Sequence, residues 1–329
     1  MSTDENFVVA GGPYTNSLGS DGSTRFNNAG LIKLFVWDQA TFKYGTLSEI
    51  TPPTDVASQN FGWAHKICEP GADSVRSTAQ KYMFVSAPGY STDTGRVYMY
   101  EWGVGADGST YDVWNQNLTI EAPAGGSNQR FGHRLEANDN GDILAISSVA
   151  PGNAGKVEIF TRTSQSTDDS VDHSFSLTQT LTGVDSDGST LNTQFGESIT
   201  MSKDGTTLII GATGYDNSDQ TDAGAIYYYK WDADGDSTLA YTLQQTITSP
   251  DTQVNMKFGS TVDINQSGTR LVIGAELFAN QREMKFDSGE TTFDLQDTTV
   301  VDLNIGSGGA YTATMYNTKY AVSYTHLRA

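Results

Sequence analysis

Short apolar stretches separated by polar, glycine-containing turns recur along the chain with a period of roughly 63 to 70 residues, the scale of a structural repeat. The pair Phe-Gly marks this period, and each pair opens a stretch in which apolar residues alternate with polar ones. Such alternation predicts a half-buried β-strand, here the first strand of each repeat. The four pairs are Phe61-Gly62, Phe131-Gly132, Phe195-Gly196 and Phe258-Gly259.

A second strand is predicted from nearly continuous apolar runs that end in small residues, a pattern typical of strands buried on both faces. In three repeats, a glycine-containing pair between the first and second strands predicts a hairpin turn: Asn140-Gly141, Asp204-Gly205 and Ser267-Gly268. The runs cover residues 7–11, 83–87, 143–147, 208–212 and 271–275.

A third strand begins at a glycine in all five repeats, with an apolar residue two positions later, so that one face is consistently apolar. These glycines are Gly30, Gly95, Gly155, Gly224 and Gly309. A more polar fourth strand is predicted at 114–120, 175–181 and 241–247, with the mixed character of a sheet edge. Each repeat therefore predicts a four-stranded antiparallel sheet, and stacking such sheets as blades about an axis gives an all-β β-propeller.

We expect a single propeller domain over residues 1–321, with about five blades. Residues 1–60 form a partial blade that lacks its first strand, and 61–130, 131–194 and 195–257 are complete blades. Residues 258–321 form a partial blade with an insertion near 277–307 and no recognisable fourth strand. Residues 322–329 resemble a non-native tail. The partial blades predict a piece of a longer chain.

The charge of the chain limits its partners. Only 19 Lys and Arg residues stand against 39 Asp and Glu residues, giving a formal net charge of −20. That charge repels a phosphate backbone, so nucleic acid is excluded as a partner. No run approaches the length of a membrane-spanning helix, which predicts no membrane insertion in this segment. The single cysteine, Cys68, excludes an internal disulfide framework.

The Phe-Gly pairs, the glycine turns, runs such as Leu208-Ile-Ile-Gly-Ala212 and the glycine-led third strands resemble the FG-GAP repeats of integrin α-subunit propellers and their relatives. The resemblance covers nearly the whole chain. It implies a seven-bladed propeller, of which this chain is a fragment, that binds proteins or glycans in adhesion. It also implies an extracellular or cell- or virion-surface location, although this fragment has no signal peptide.

Many repeats of that family carry a calcium loop between the first two strands, and this sequence departs from the pattern. Calcium requires six to eight oxygen ligands, and most turns here supply too few. The remaining candidate ligands are Glu136, Asn138, Asn140 and Asp142, with an ordinary hairpin turn as the alternative. No other cofactor is predicted.

The leading hypothesis for function is a non-catalytic binding module. Loops between second and third strands, at 89–94 and 214–222, would present the recognition surface to a protein or carbohydrate ligand. The candidate binding residues are Tyr90, Tyr215, Asp216, Asn217 and Asp219.

Two alternatives stay open. A glycosidase or sialidase-like propeller enzyme is one, because the turn at 202–207 partly resembles the Asp-box of sialidases. An architectural segment of a large surface or virion protein is the other. The chain shows no serine elbow, zinc helix motif or P-loop, so we predict that it is not an enzyme.

Overall fold

The computed structural model describes residues 7–18, 22–38, 40–69, 81–103, 113–123, 128–150, 152–162, 174–190, 192–218, 220–232, 240–250, 252–276, 303–305, 308–316 and 319–322. Within these ranges the chain is almost entirely β-strand, with one four-residue helix. Most of the predicted insertion and the tail at 323–329 lie outside the described residues.

Five antiparallel sheets follow one another along the chain, one for each predicted repeat. The first has three strands among the described residues. Its strands are β1 (Phe7–Gly11), β4 (Ile32–Asp38) and β5 (Lys43–Ile50), with a separate small hairpin of β2 (Ser17–Leu18) and β3 (Arg25–Phe26) between the first two.

The next three sheets each have four strands in sequential order. The second holds β6 (His65–Cys68), β7 (Tyr82–Ala87), β8 (Arg96–Gly103) and β9 (Val113–Glu121), with helix α1 (Tyr90–Asp93) before β8. The third holds β10 (Phe131–Ala137), β11 (Ile143–Ser148), β12 (Lys156–Arg162) and β13 (Phe175–Leu181). The fourth holds β14 (Phe195–Met201), β15 (Thr207–Ala212), β16 (Ala225–Asp232) and β17 (Ala240–Thr248).

The fifth sheet corrects one expectation about its outer strand. It contains β18 (Phe258–Ile264), β19 (Arg270–Ala275), β20 (Leu303–Ile305), β21 (Gly308–Tyr316) and β22 (Lys319–Val322). The short strand β22 pairs antiparallel with the third strand β21, in the place of a fourth strand. This strand could not be predicted, because four residues are too few to show a period.

By its contacts the chain divides into two compact units, Met1–Ala150 with Lys156–Leu181, and Pro151–Gly155 with Thr182–Ala329. In the first unit, the apolar residues of neighbouring sheets interdigitate: Ile32 and Leu34 of the first sheet pack with Met83 and Val85 of the second. In the second unit, Ile209 and Ile226 pack with Leu271 of the fifth sheet. The packing of one sheet on the next therefore buries apolar side chains in each unit.

Within each unit the backbone also joins successive sheets at the repeated glycines. The glycine before a third strand forms a parallel bridge to the phenylalanine of the next Phe-Gly pair: Gly30 to Phe61, Gly95 to Phe131 and Gly224 to Phe258. The aligned glycines thus fall at equivalent places in their sheets, and the predicted all-β chain of propeller blades, about five in number, is confirmed.

Candidate functional site

The segments between the second and third strands, here called the 2–3 loops, are ordered by backbone hydrogen bonds at their C-terminal ends. In the fourth repeat the N–H groups of Asn255, Lys257 and Phe258 donate to the carbonyl oxygens of Thr221, Asp222 and Ala223 at 2.8, 3.0 and 2.9 Å. The first and second repeats show the same three-bond ladder. The 2–3 loops of the first, second and fourth repeats are therefore fixed to the connection that precedes the next Phe-Gly pair.

The N-terminal half of the fourth repeat's loop is fixed to the segment before β14. The N–H of Asp216 donates to Asp185 Oδ1 at 2.9 Å, and the hydroxyl of Ser186 donates to the carbonyl oxygen of Asp216 at 2.9 Å. Asp216 Oδ1 accepts the N–H of Asp222 at 2.8 Å, which closes the loop on itself. One oxygen of the Asp216 carboxylate thus holds the loop in its shape by accepting a hydrogen bond.

The tip of that loop is a tight turn in which Asn217 and Gln220 exchange two backbone hydrogen bonds of 3.0 and 2.9 Å. The side chains of Asn217 and Gln220 are half-buried, and Ser218 is exposed. The predicted binding residue Asp219 lies outside the described residues. The side chains at the tip are thus available to a partner on a backbone that is already ordered.

Tyr215 lies in the core of the loop rather than on its surface. It is only 8% exposed, and its ring meets the ring of Tyr227 edge-on at 6.4 Å. The Tyr227 hydroxyl donates to the carbonyl oxygen of Val184 at 2.5 Å and accepts the Val184 N–H at 3.1 Å. Tyr215 therefore supports the loop by packing on an anchored ring, and a ligand could reach little of it.

The carboxyl of Asp185 lies close to three other carboxylates in this loop region. Burial raises its pKa, the N–H of Asp216 opposes that change, and the carboxylates of Asp216, Asp187 and Asp222 raise the pKa further. This end of the fourth sheet therefore carries concentrated negative charge.

The 2–3 loop of the second repeat has a different local structure. Helix α1 includes Ser91, Thr92 and Asp93 with positive φ angles of 51, 60 and 58°, so it is a left-handed turn. Tyr90 is half-buried beneath the Arg96 guanidinium, whose central carbon lies 3.7 Å from the ring centroid. Arg96 is in turn paired with Glu121 at 2.5 Å. The Tyr90 ring is thus fixed by a cation–π contact.

The predicted calcium ligands make contacts within the protein. Glu136 Oε2 accepts from Lys66 Nζ at 2.6 Å, across two sheets of the first unit. Asn138 Oδ1 accepts the N–H groups of Asp142 and Ile143, both at 3.0 Å, and Asn138 Nδ2 donates to Asp142 Oδ1. Asn140 is exposed at the turn. Across the described ranges, no three His, Cys, Asp or Glu side chains meet at metal-binding distance. Calcium binding at these residues stays a prediction.

One cluster escaped the sequence analysis because its members are far apart along the chain. Tyr14, Trp63, Arg130 and His133 meet in the first unit around the Trp63 ring. The only signal in the sequence is that Trp63 and His133 both follow a Phe-Gly pair and so hold equivalent repeat positions.

The comparison with protein families confirms the predicted resemblance. Residues 175–229 match the family model for the FG-GAP repeat. No curated protein sequence matches the chain. No helix in the described residues has the length and apolar character required to cross a bilayer.

Solved structures with a similar fold are distant in sequence. A crystal structure from Bacteroides fragilis, described as a putative 6-phosphogluconolactonase, is 12% identical with a TM-score of 0.44, and the match covers 98% of this chain and 80% of that one. A second, from Bacteroides uniformis with the same description, is 12% identical with a TM-score of 0.45, covering 99% and 82%. The Cps50 (Swd1) β-propeller domain of Myceliophteria thermophila is 11% identical with a TM-score of 0.43, covering 76% and 63%.

These comparisons correct the prediction that the chain is not an enzyme. Two of the similar structures are described as putative enzymes, at 12% identity to this chain. The prediction rested on missing motifs, and catalytic groups that converge from different blades leave no local motif in a sequence.

Proposed function

We propose that this chain is the recognition module of a surface or extracellular protein and binds a protein or carbohydrate partner through its 2–3 loops. The match to the FG-GAP repeat supports this proposal, because repeats of this type are typically extracellular domains. The adhesion role and the location are part of the proposal.

The observation that carries the proposal is the order of the fourth repeat's loop. Its two ends are fixed by backbone hydrogen bonds to both flanking connections, and its tip closes through the Asn217–Gln220 pair. A loop that is ordered before binding loses little conformational entropy when a partner arrives, so more of the contact energy appears as affinity. Loops on a rigid scaffold are also where binding residues concentrate.

The negative charge of the loop region limits the kinds of partner that the loop can bind. Asp185, Asp187, Asp216 and Asp222 interact electrostatically at this end of the fourth sheet. Opposite charges across an interface accelerate association and exclude wrong partners. We therefore expect the partner of this loop to present basic or hydroxyl-rich groups.

The test compares side chains at the loop tip with a side chain at the opposite end of the same unit. The double variant Asn217→Ala, Gln220→Ala removes polar groups while keeping the turn, because the tip is closed by main-chain bonds. Gln266→Ala, in the exposed turn between β18 and β19, is the control. The wild-type chain is screened on a printed glycan array and a displayed peptide library, and hits are titrated against all three proteins.

We expect the tip variant to weaken binding at least about tenfold, equivalent to about 1.4 kcal/mol, and the control to bind as the wild type does. Equal affinity of the tip variant and the wild type for every hit would contradict the proposal. So would the absence of any hit in both screens.

A further inference from the structure

A cluster of aromatic rings around Trp63 lies in the first unit, away from the fourth repeat's loop in the sequence. The Tyr14 ring meets Trp63 edge-on at 5.9 Å, and the His133 ring lies 6.0 Å from it at a 39° tilt. The Arg130 guanidinium lies over the Trp63 ring at 5.2 Å. Three successive repeats therefore contribute to one cluster.

Hydrogen bonds at Trp63 and Arg130, and beside Tyr14, fix the backbone of the cluster. Asn60 Nδ2 donates to the carbonyl oxygen of Pro13 at 3.3 Å, next to Tyr14. The N–H of Trp63 donates to the Asn60 carbonyl oxygen at 3.1 Å, and that of Arg130 to the Asp93 carbonyl oxygen at 2.6 Å. The cluster is thus ordered before any ligand arrives.

Tyr14 has the accessibility expected of a contact residue. It is 64% exposed, whereas His133 is 6% exposed and supports Trp63 from within. An exposed aromatic face fixed on an ordered turn has a large apolar area and few internal rotations to lose. Such a face suits the flat side of a sugar ring.

The charge at the cluster differs from that of the chain as a whole. Among the described residues Arg130 forms no ion pair, whereas Arg96 is paired with Glu121. A guanidinium stacked on an aromatic ring keeps its N–H edge free, and that edge matches a carboxylate with two parallel hydrogen bonds.

We propose that Tyr14, Trp63 and Arg130 bind a carboxylated sugar, with the uronic acid ring on Tyr14 and its carboxylate on Arg130. The inference rests on the proposed function in that Tyr14 belongs to the 2–3 loop of the first repeat. It names a second binding site and its ligand class. The chain's net charge of −20 opposes long polyanions, so a short oligosaccharide is the appropriate probe.

The experiment titrates the full chain with trigalacturonic acid and with the uncharged trisaccharide galactotriose at 0.15 M salt. The variants are Arg130→Gln and Tyr14→Ala, with Arg270→Gln as a control that removes an exposed arginine in the second unit. Gln is compatible with the backbone at 130, because Gln194 holds the equivalent repeat position with a φ of 51°, close to the 54° of Arg130. A melting curve checks the fold of each variant.

We expect trigalacturonic acid to bind at least tenfold more tightly than galactotriose. Arg130→Gln should bind trigalacturonic acid at least tenfold more weakly than the wild type, and Tyr14→Ala several-fold more weakly. Arg270→Gln should bind it as the wild type does. All three variants should have the melting temperature of the wild type. The Asn217→Ala, Gln220→Ala protein should bind trigalacturonic acid as the wild type does, which separates this site from the loop of the fourth repeat.

Three outcomes would overturn the inference. One is equal binding of the charged and uncharged trisaccharides, and another is full affinity in Arg130→Gln. The third is equal binding of a short glutamate-containing peptide, which would show that the cluster selects a carboxylate without a sugar ring. Failure of this test with success of the loop-tip test leaves the proposed function standing.

Discussion

The carbonyl oxygen of Phe258 occupies the space that a side chain on Gly224 would need. A β-carbon built on Gly224 would lie 2.2 Å from that oxygen and 2.3 Å from the Phe258 nitrogen, far inside van der Waals contact. Gly224 also has a φ of +82°, a left-handed conformation that favours glycine. The same close approach is found between Gly30 and Phe61, between Gly95 and Phe131, and between Gly155 and Phe195. In the first four repeats, the glycine that leads the third strand is thus in direct backbone contact with the next Phe-Gly pair.

Tyr227→Phe should destabilise the second unit by about 1–2 kcal/mol, because it removes two hydrogen bonds between the phenol and the Val184 backbone. Tyr227 is 1% exposed, whereas Val184 is 43% exposed, so water replaces part of what the Val184 backbone loses and the expected cost stays near that of the two hydrogen bonds. Urea unfolding followed by tryptophan fluorescence measures the change.

Tyr228→Phe is the matched control on the same strand. The Tyr228 hydroxyl makes no hydrogen bond to the described residues, and its replacement should change stability by less than about 0.5 kcal/mol. Equal effects of the two substitutions would show that the Tyr227 phenol does not anchor the connection before β14.

Much of the fold could be predicted because the same pattern of strands recurs in the sequence of each repeat. The fourth strands at β9, β13 and β17 contain the stretches predicted at 114–120, 175–181 and 241–247. The outer strands β5 and β22 were not predicted, because β5 is mostly exposed and β22 has only four residues. A strand without a buried face leaves no period in the sequence.

The candidate site could be predicted less well. Tyr215 was expected on the binding surface, but it packs on Tyr227, and its loop has positive φ at Ser218 and Asp222, which are not glycines. The contact between Trp63 and Arg130 depends on the packing of successive sheets, which residue types at one position do not encode. The shape of the loops and the contacts between repeats could therefore not be predicted from the sequence.

The thiol of Cys68 should be unreactive in the folded protein. Burial raises its pKa to about 12, and the side chain is fully buried in the first unit. At pH 8 only about one molecule in 10⁴ would carry the reactive thiolate. A thiol reagent such as dithionitrobenzoate should give no colour with the native chain and one equivalent in denaturant. Rapid reaction of the native chain would contradict the burial of Cys68.

His65 should make the first unit less stable in mild acid. Burial lowers its pKa despite the opposing contact with the Val9 carbonyl oxygen, so the unfolded chain takes up a proton before the folded one does. The stabilising contribution is present above pH 6.5 and is lost as the pH falls toward the lowered pKa. His65→Leu substitutes the residue type found at Leu135, the equivalent repeat position.

The melting temperature of the wild type should therefore fall more between pH 7.5 and pH 5 than that of His65→Leu. Both proteins share every other titrating group, so the difference between the two falls isolates His65. Identical falls would show that His65 does not titrate differently in the folded and unfolded chains.

The central claim is that, within each unit, successive sheets join where a third-strand glycine meets the backbone of the next Phe-Gly pair. Gly224→Ala and Gly188→Ala test it, because both glycines have positive φ, +82 and +85°, but a β-carbon on Gly188 would meet no atom within 4 Å. The free energy of unfolding in urea should fall by about 1 kcal/mol for Gly188→Ala, from backbone strain alone, and by about 3 kcal/mol or more for Gly224→Ala. Equal losses in the two variants would contradict the claim.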